Sequence, residues 1–179
     1  MYGENVARYT ADHLRTHIKD YLDEIAAEYA STNPVTLIVP KSIDVSSVVG
    51  GLIDSYDEIL PQYGIDTLGK IPSQDDSALW SYEYPGQING LIHGGSQEAV
   101  DLGIKRHERA IEQFIREHRL LHNYVDPAGD FSILEFVFAT VDFSGAEDLT
   151  TNERSIWTAG FSVNCSWFTS ESGPGQHGS

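Results

Sequence analysis

The chain has 179 residues, 40% of them hydrophobic, and sets 27 acidic side chains against 11 basic ones for a formal net charge of -16 at pH 7. That length suits one domain with a sizeable core, and no run approaches the roughly 18 apolar residues of a membrane span. So anionic a chain argues against binding to duplex DNA or an anionic membrane, since neither finds a basic footprint to hold.

Solubility, a high-salt host, or a surface past which DNA must slide without sticking would each account for the charge. The single cysteine, Cys165, excludes an internal disulfide and suits a reducing compartment. Met1 to Tyr9 carries acid and lacks a long apolar core, so it reads as a polar lead-in with no signal peptide.

A first helix is expected from Thr10. Thr10 or Asp12 would cap it, and Leu14, Ile18, Tyr21, Leu22, Ile25 and Tyr29 form its apolar seam. The run Ser31 to Pro34 ends it. Val35 to Val39, bracketed by Pro34 and Pro40, reads as a short edge strand. Lys41 to Ser47 reads as loop, and Val48 to Leu60 is compatible with a turn or two of helix. A second strand is expected within Pro61 to Ile71, followed by an exposed loop over Ser73 to Ser77. Trp80, Tyr82 and Tyr84 then alternate onto one face. Pro85-Gly86 interrupts, and Gln87 to His93 resumes, giving one bent strand or two pieces with a bulge.

From Ser96 to about His122 the apolar residues Val100, Ile104, Ile111, Phe114, Ile115 and Leu121 recur at helical spacing, with His107 and His118 on the same stripe. Charged residues, Arg106 and Glu108 among them, are expected mostly on the opposite face. Ser96 is the expected cap, and the helix would run about 39 Å. After a turn at Asp126 to Asp130, Phe131 to Phe143 is apolar on nearly both faces and reads as a central strand. Ser144 to Ser155 reads as a long polar loop. Trp157 to Trp167 alternates cleanly as a half-buried strand, and residues 170–179 form a Gly/Pro/Ser-rich tail. The expected architecture is α+β. Two helices pack on a mostly antiparallel sheet of four to five strands, in the order α-β-β-β-α-β-β, within a single domain over 1–169.

For chemistry, His13 and His17 stand four apart, as do His118 and His122, so each pair shares a helix face. Neither pair has the glutamate pattern of a zinc hydrolase, and no third ligand is identifiable. They read as surface or seam-edge histidines, with no metal assigned. Cys165 on an apolar strand face reads as a small hydrophobe. Gly94-Gly95-Ser96 reads as a strand-to-helix turn, because Glu98 and Asp101 would repel a phosphate there. The paired carboxylates (Asp54 with Asp57-Glu58, Asp75-Asp76, Glu147-Asp148) read as solvated acids. No catalytic residue and no cofactor is assigned. Trp80, Tyr82 and Tyr84 suit a core face or a protein interface. Glu147, Asp148 and Asn152 join them as candidates for subunit or partner contact.

The helix leading into Val35–Val39, the segment Pro61–Gly69, the strand and long helix over Tyr82–His122, and the closing pair Phe131–Phe143 and Ile156–Phe168 together resemble a known family. They are similar to the tail terminator, or tail completion, proteins of long-tailed bacteriophages and archaeal tailed viruses. The likeness is one of architecture and has no specific short motif. It implies a ring, usually of six subunits, that caps the tail tube and joins it to the head–tail connector. Such a protein would be located in the virion after assembly in the host cytoplasm. It would be no enzyme, would need no cofactor, and would let DNA pass without specific binding. Alternatives are another neck, connector or tube protein, a small metal-dependent hydrolase using the helix histidines, and an acidic module binding a ligand between helix and sheet.

Overall fold

The structure is a computed structural model that describes residues 2–45, 60–72, 80–121, 124–125 and 131–171. Helix α1 spans Tyr2–Tyr29 and α2 spans Gln97–Glu117. The strands are β1 (Ser42–Asp44), β2 (Gln62–Thr67), β3 (Ile71–Pro72), β4 (Trp80–Gly94), β5 (Phe131–Phe143), β6 (Glu147–Asp148) and β7 (Trp157–Glu171). They form one seven-stranded sheet in the order β1-β2-β4-β7-β5, with β3 added to β4 and β6 to β7. Only the β1–β2 pairing is parallel. The fold is α+β as expected, and the two-residue β3 and β6 raise the strand number. Neither helix is long and apolar enough to cross a membrane.

Both helices pack on one face of the sheet and antiparallel to each other. Arg109 meets Glu28, Gln113 meets Glu24 and Glu117 meets Tyr21, so one helix descends as the other rises. The core lies between the layers. Trp167, fully buried, stacks on Phe136 at 5.0 Å and 5° between planes. Its indole Nε1 donates to Thr10 Oγ1 at 2.9 Å.

That bond explains why α1 starts about eight residues before the expected cap. Val6, Ala7, Thr10, Ala11 and Leu14 are all at most 1% exposed, so the presumed lead-in is helix packed on the sheet. Thr10 is no cap but a buried mid-helix residue whose hydroxyl also donates to Val6 O at 2.8 Å. A threonine can satisfy its hydroxyl on the preceding turn, which sequence alone does not distinguish from capping.

Val35 to Val39 is not a strand and pairs with none of the described strands, and Ile38 and Val39 are exposed at 44% and 37%. The first strand is instead Ser42–Asp44, inside the expected loop, where Ile43 is buried against α1. β4 runs straight through Pro85-Gly86 and pairs with β7 over fifteen residues without a register shift. Proline is tolerated because its carbonyl, and hence its nitrogen, faces the gap between β2 and β3. There Pro85 O accepts from Leu68 N at 2.7 Å, and no ladder bond needs the missing N–H. Gly86 is required by close approach: a Cβ there would lie 2.3 Å from the Trp167 ring and 2.4 Å from Asp66 O.

Ser96 caps α2 as expected, its hydroxyl accepting from Ala99 N at 3.2 Å. The helix ends at His118, a turn before the expected end, and spans about 32 Å. The chain then tightens so that Leu121, at a φ of 39°, is fully buried. Arg106 and Glu108 do not lie on the exposed face. They are 5% and 9% exposed, Arg106 because the end of α1 covers it. Arg106 donates to Asn33 O at 2.6 Å and lies 4.4 Å over the Tyr29 ring.

β5 is an edge strand, not a central one. Two register shifts, at Ile133/Glu135 and Phe138/Thr140, change which side chains face the core. They explain its apolar character on both faces, with Leu134 and Phe143 exposed at 49% and 44%. The expected loop over 144–155 contains β6, which folds back on the start of β7. β7 reaches Glu171, two residues into the expected tail, and that carboxylate is buried against Lys70 and Tyr84. The readings for Val48 to Ile59, Ser73 to Ser77, His122, the Asp126 turn and 172–179 lie outside the described residues.

Candidate functional site

The strands present a second sheet face opposite the helices. No described helix covers it. Along β4 and β7 the core face takes Tyr84, Ile88, Ile92, Phe161, Val163, Cys165 and Trp167, so alternation leaves the polar Glu83, Gln87, Asn89, Ser162, Asn164 and Ser166 on the other, together with Pro85, Leu91, His93 and Phe168. Register sets Gln87 opposite Asn164 and Asn89 opposite Ser162, with Ser166 diagonal to Glu83, and these side chains bond across the strands. Gln87 Nε2 donates to Asn164 Oδ1 at 3.0 Å. Asn164 Nδ2 donates to Thr140 Oγ1 at 2.9 Å and Asp142 Oδ2 at 3.0 Å. Ser162 Oγ donates to Asn89 Oδ1 at 2.5 Å, and Ser166 Oγ to Glu83 Oε1 at 2.7 Å. None of the seven strands contains a lysine or arginine, so this lattice of amides, hydroxyls and acids has no strand-borne cation.

The expected contact residues are split by the fold. Tyr84 is 4% exposed and donates from its hydroxyl to Glu171, so its ring belongs to the chain's own core. Tyr82 is half-buried on the same side beneath Lys70, whose Nζ lies 3.7 Å from the ring centre. Trp80 begins β4 opposite Glu171, and its side chain is outside the described set. Glu147, Asp148 and Asn152 are exposed on the β6–β7 hairpin, far along the sheet from Tyr82. Asp148 Oδ1 accepts from Thr150 N at 2.9 Å, which holds its carboxyl below the usual aspartate range. The six residues therefore form no single patch.

A cleft of about 530 Å³ opens between the start of α2, the extended segment 34–38 and the end of the sheet. At its floor His107 is 2% exposed, with Nδ1 2.5 Å from Tyr63 Oη. Burial pushes the imidazole down to about 4 and the phenol well above its ordinary value. His107 is thus a neutral imidazole held by a tyrosine inside the core. Cys165 is likewise buried, its thiol pushed up by desolvation and so unreactive. A second cleft of about 500 Å³ lies by Arg106 and Tyr29, and a shallow depression of about 480 Å³ lies at Gly90 and Gly160 on the open sheet face.

The fold also makes one grouping that sequence spacing did not reveal. His13 and His17, one turn apart on α1, meet His118 at the end of α2, and one ring nitrogen from each lies within 4.8 Å of the others. The sequence offered His118 with His122 as a neighbour. The antiparallel helix pair instead joins His118 to His13, 105 residues away. Two i, i+4 histidine pairs on two amphipathic segments were the available signal. None of the three clefts described includes any of these histidines.

No protein-family model matches the chain. No curated protein matches it either.

Proposed function

We propose that this chain is a structural subunit of a virion, a tail terminator. It forms a homo-oligomeric ring, six-membered in the simplest case, that caps the tail tube and meets the head–tail connector. The observation that carries the reading is the open sheet face, to which no strand contributes a lysine or arginine; the Arg119 guanidinium at its β5 edge is neutralised by Glu135. Duplex DNA presents about one charge per 1.7 Å of axis and adheres wherever lysines and arginines neutralise it. A lumen wall whose strands supply amides, hydroxyls, carboxylates and a few apolar side chains but no lysine or arginine offers few such partners, so DNA passes without being held.

The β5 edge also supports assembly. Residues 131–136 are partly covered by the chain after α2, with Ile133 N donating to Tyr124 O and Phe136 N to Arg119 O. No described strand pairs with the outer edge of 137–143. Such an edge is a template for another chain, and Phe143 at 44% exposure lies at its end. In this reading the chain is no enzyme, requires no cofactor, and acts in the virion with the tube and connector proteins as partners.

Light scattering of the purified chain in low and high salt tests the ring, with electron microscopy of the same sample. The expected mass is about six times the 19.8 kDa chain, with annular particles in the images. A monomer under both conditions and no annular particle would overturn the reading. One observation favours a second reading, a small metal-dependent hydrolase: the fold supplies a third imidazole. It ranks below the ring because the histidines come without the glutamate pattern of a zinc hydrolase.

A further inference from the structure

The geometry points to a transition-metal site at His13, His17 and His118, taking Zn²⁺ or an ion of similar preference as a clasp between the two helices. His13 Nε2 lies 3.1 Å from His118 Nδ1. Two nitrogens on a tetrahedral zinc at 2.0–2.1 Å stand about 3.3 Å apart, so this pair is already at ligand spacing. The His17 nitrogen, within 4.8 Å of both, needs only a small side-chain rotation to join them. Three imidazoles suit zinc, copper or nickel, and not calcium or magnesium, which take oxygen ligands. All three rings are half-buried, which leaves room for water as a fourth ligand.

The surroundings orient the ligands. Tyr21 Oη donates to Glu117 Oε2 at 2.7 Å and lies 3.0 Å from His118 Nε2. With its proton committed to Glu117, the Tyr21 oxygen accepts from His118 Nε2–H. That assigns the lone pair of His118 to Nδ1, the nitrogen facing His13. A carboxylate acting through a hydroxyl thus holds the imidazole in its metal-binding tautomer, as partners behind ligating histidines commonly do. Phe114 packs 4.8 Å from the His118 ring, and Tyr9 stacks 6.0 Å from His13, limiting rotation of both. The 3.1 Å contact is then a hydrogen bond from His13 Nε2–H, and a bound ion takes the place of that proton.

An ion here ties the middle of α1 to the C-terminal cap of α2. From there the chain crosses to β5, with Tyr9 Oη donating to Leu121 O at 3.0 Å. The clasp therefore fixes the route from helix layer to sheet edge and is independent of ring formation.

The test uses the tag-free full chain, stripped with chelator and titrated with ZnCl₂ by calorimetry and with Co²⁺ by visible absorption. One equivalent is expected to bind, with Co²⁺ giving the intense bands of a four-coordinate site. At a hundredfold excess of free zinc over its Kd the Tm rises by roughly 5–10 °C. His13→Gln, His17→Gln and His118→Gln each weaken binding at least tenfold, and His93→Gln leaves it unchanged. Tyr21→Phe keeps all three ligands and reads the orienting role, with an expected loss of about tenfold. A titration of the wild-type chain that shows no stoichiometric binding overturns the site. So does binding that survives all three ligand substitutions. Because the wild-type titration and Tyr21→Phe remove no ligand, a ligand variant that fails to fold does not shield the proposal.

Discussion

The helix layer and the sheet layer divide the chain's cations unequally. Seven of the eleven lysines and arginines lie on α1 and α2, four lie in connections, and none lies in a strand. On the helices Arg8, Arg15, Lys19, Arg109 and Arg116 each face an acid one turn away or on the neighbouring helix. Such exposed pairs contribute little stability, but they moderate the charge of that layer. In the sheet, side chains of the open face satisfy one another with neutral amides and hydroxyls, and the acids Glu83 and Asp142 accept from serine and asparagine. The difference teaches that a net charge of -16 is not spread evenly. One layer is a mixed-charge surface, while the strands of the other contribute only neutral and negative side chains and meet cations from connections, Lys70 at Glu171 and Arg119 at Glu135.

The largest expected effect severs the two layers. Trp167→Ala removes the buried ring that stacks on Phe136 and bonds to Thr10, at a cost of about 3–5 kcal/mol. Thermal melting should show a Tm lower by roughly 10 °C.

Next is a pH effect from the helix side of the same interface. Burial holds His107 at about 4 in the folded chain against an ordinary 6.5. The unfolded chain therefore binds more protons below 6.5, so stability is full above that pH and falls between about 6.5 and 4. The loss is roughly 3 kcal/mol. His93, also lowered by burial, acts in the same direction, while Glu108, raised by burial and by Glu112, opposes it. Urea melts at several pH values should show this acid slope, and His107→Gln should flatten it.

Thr10→Val then asks how much of the coupling is the single hydrogen bond. It leaves the Trp167 indole N–H buried without an acceptor, an expected loss of about 1–3 kcal/mol by denaturant titration. The smallest effect on stability, about 1 kcal/mol, is expected for Asn164→Lys, which breaks its bonds to Thr140 and Asp142. Its value is functional. It puts a cation into the centre of the open face, and duplex DNA should be retained by the variant at low salt and released at high salt. Equal DNA retention by wild type and variant would remove the significance attached to the contrast between layers.

Much of the fold was legible where a period repeats locally. The seam of α2 from Val100 to Ile115, the Ser96 cap and the alternation of β7 are each written within a few residues, and the chain adopts them. Legibility failed where a distant group supplied the partner. Thr10 reads as a cap until Trp167 is known to lie beside it, and Val35 to Val39 reads as a strand although no described strand pairs with it. Pro85 reads as a break until the change of neighbour from β2 to β3 leaves its missing N–H without consequence.

The candidate surfaces divide in the same way. The lack of cations from every strand was present in the sequence, though unmarked until strand bounds were known. The three-histidine cluster was not, because His118 reaches His13 only through the antiparallel packing of two helices 105 positions apart in that pair.

By itself the sequence determined which stretches could be helix or strand, which faces were apolar, and how little positive charge was available. Side-chain spacing over one turn or one pleat is a local property of the chain. Tertiary structure alone decided that β5 lies at the edge, that Glu171 is buried, and that three imidazoles converge. Those outcomes depend on which seams pack together, and packing joins residues that the covalent chain keeps far apart.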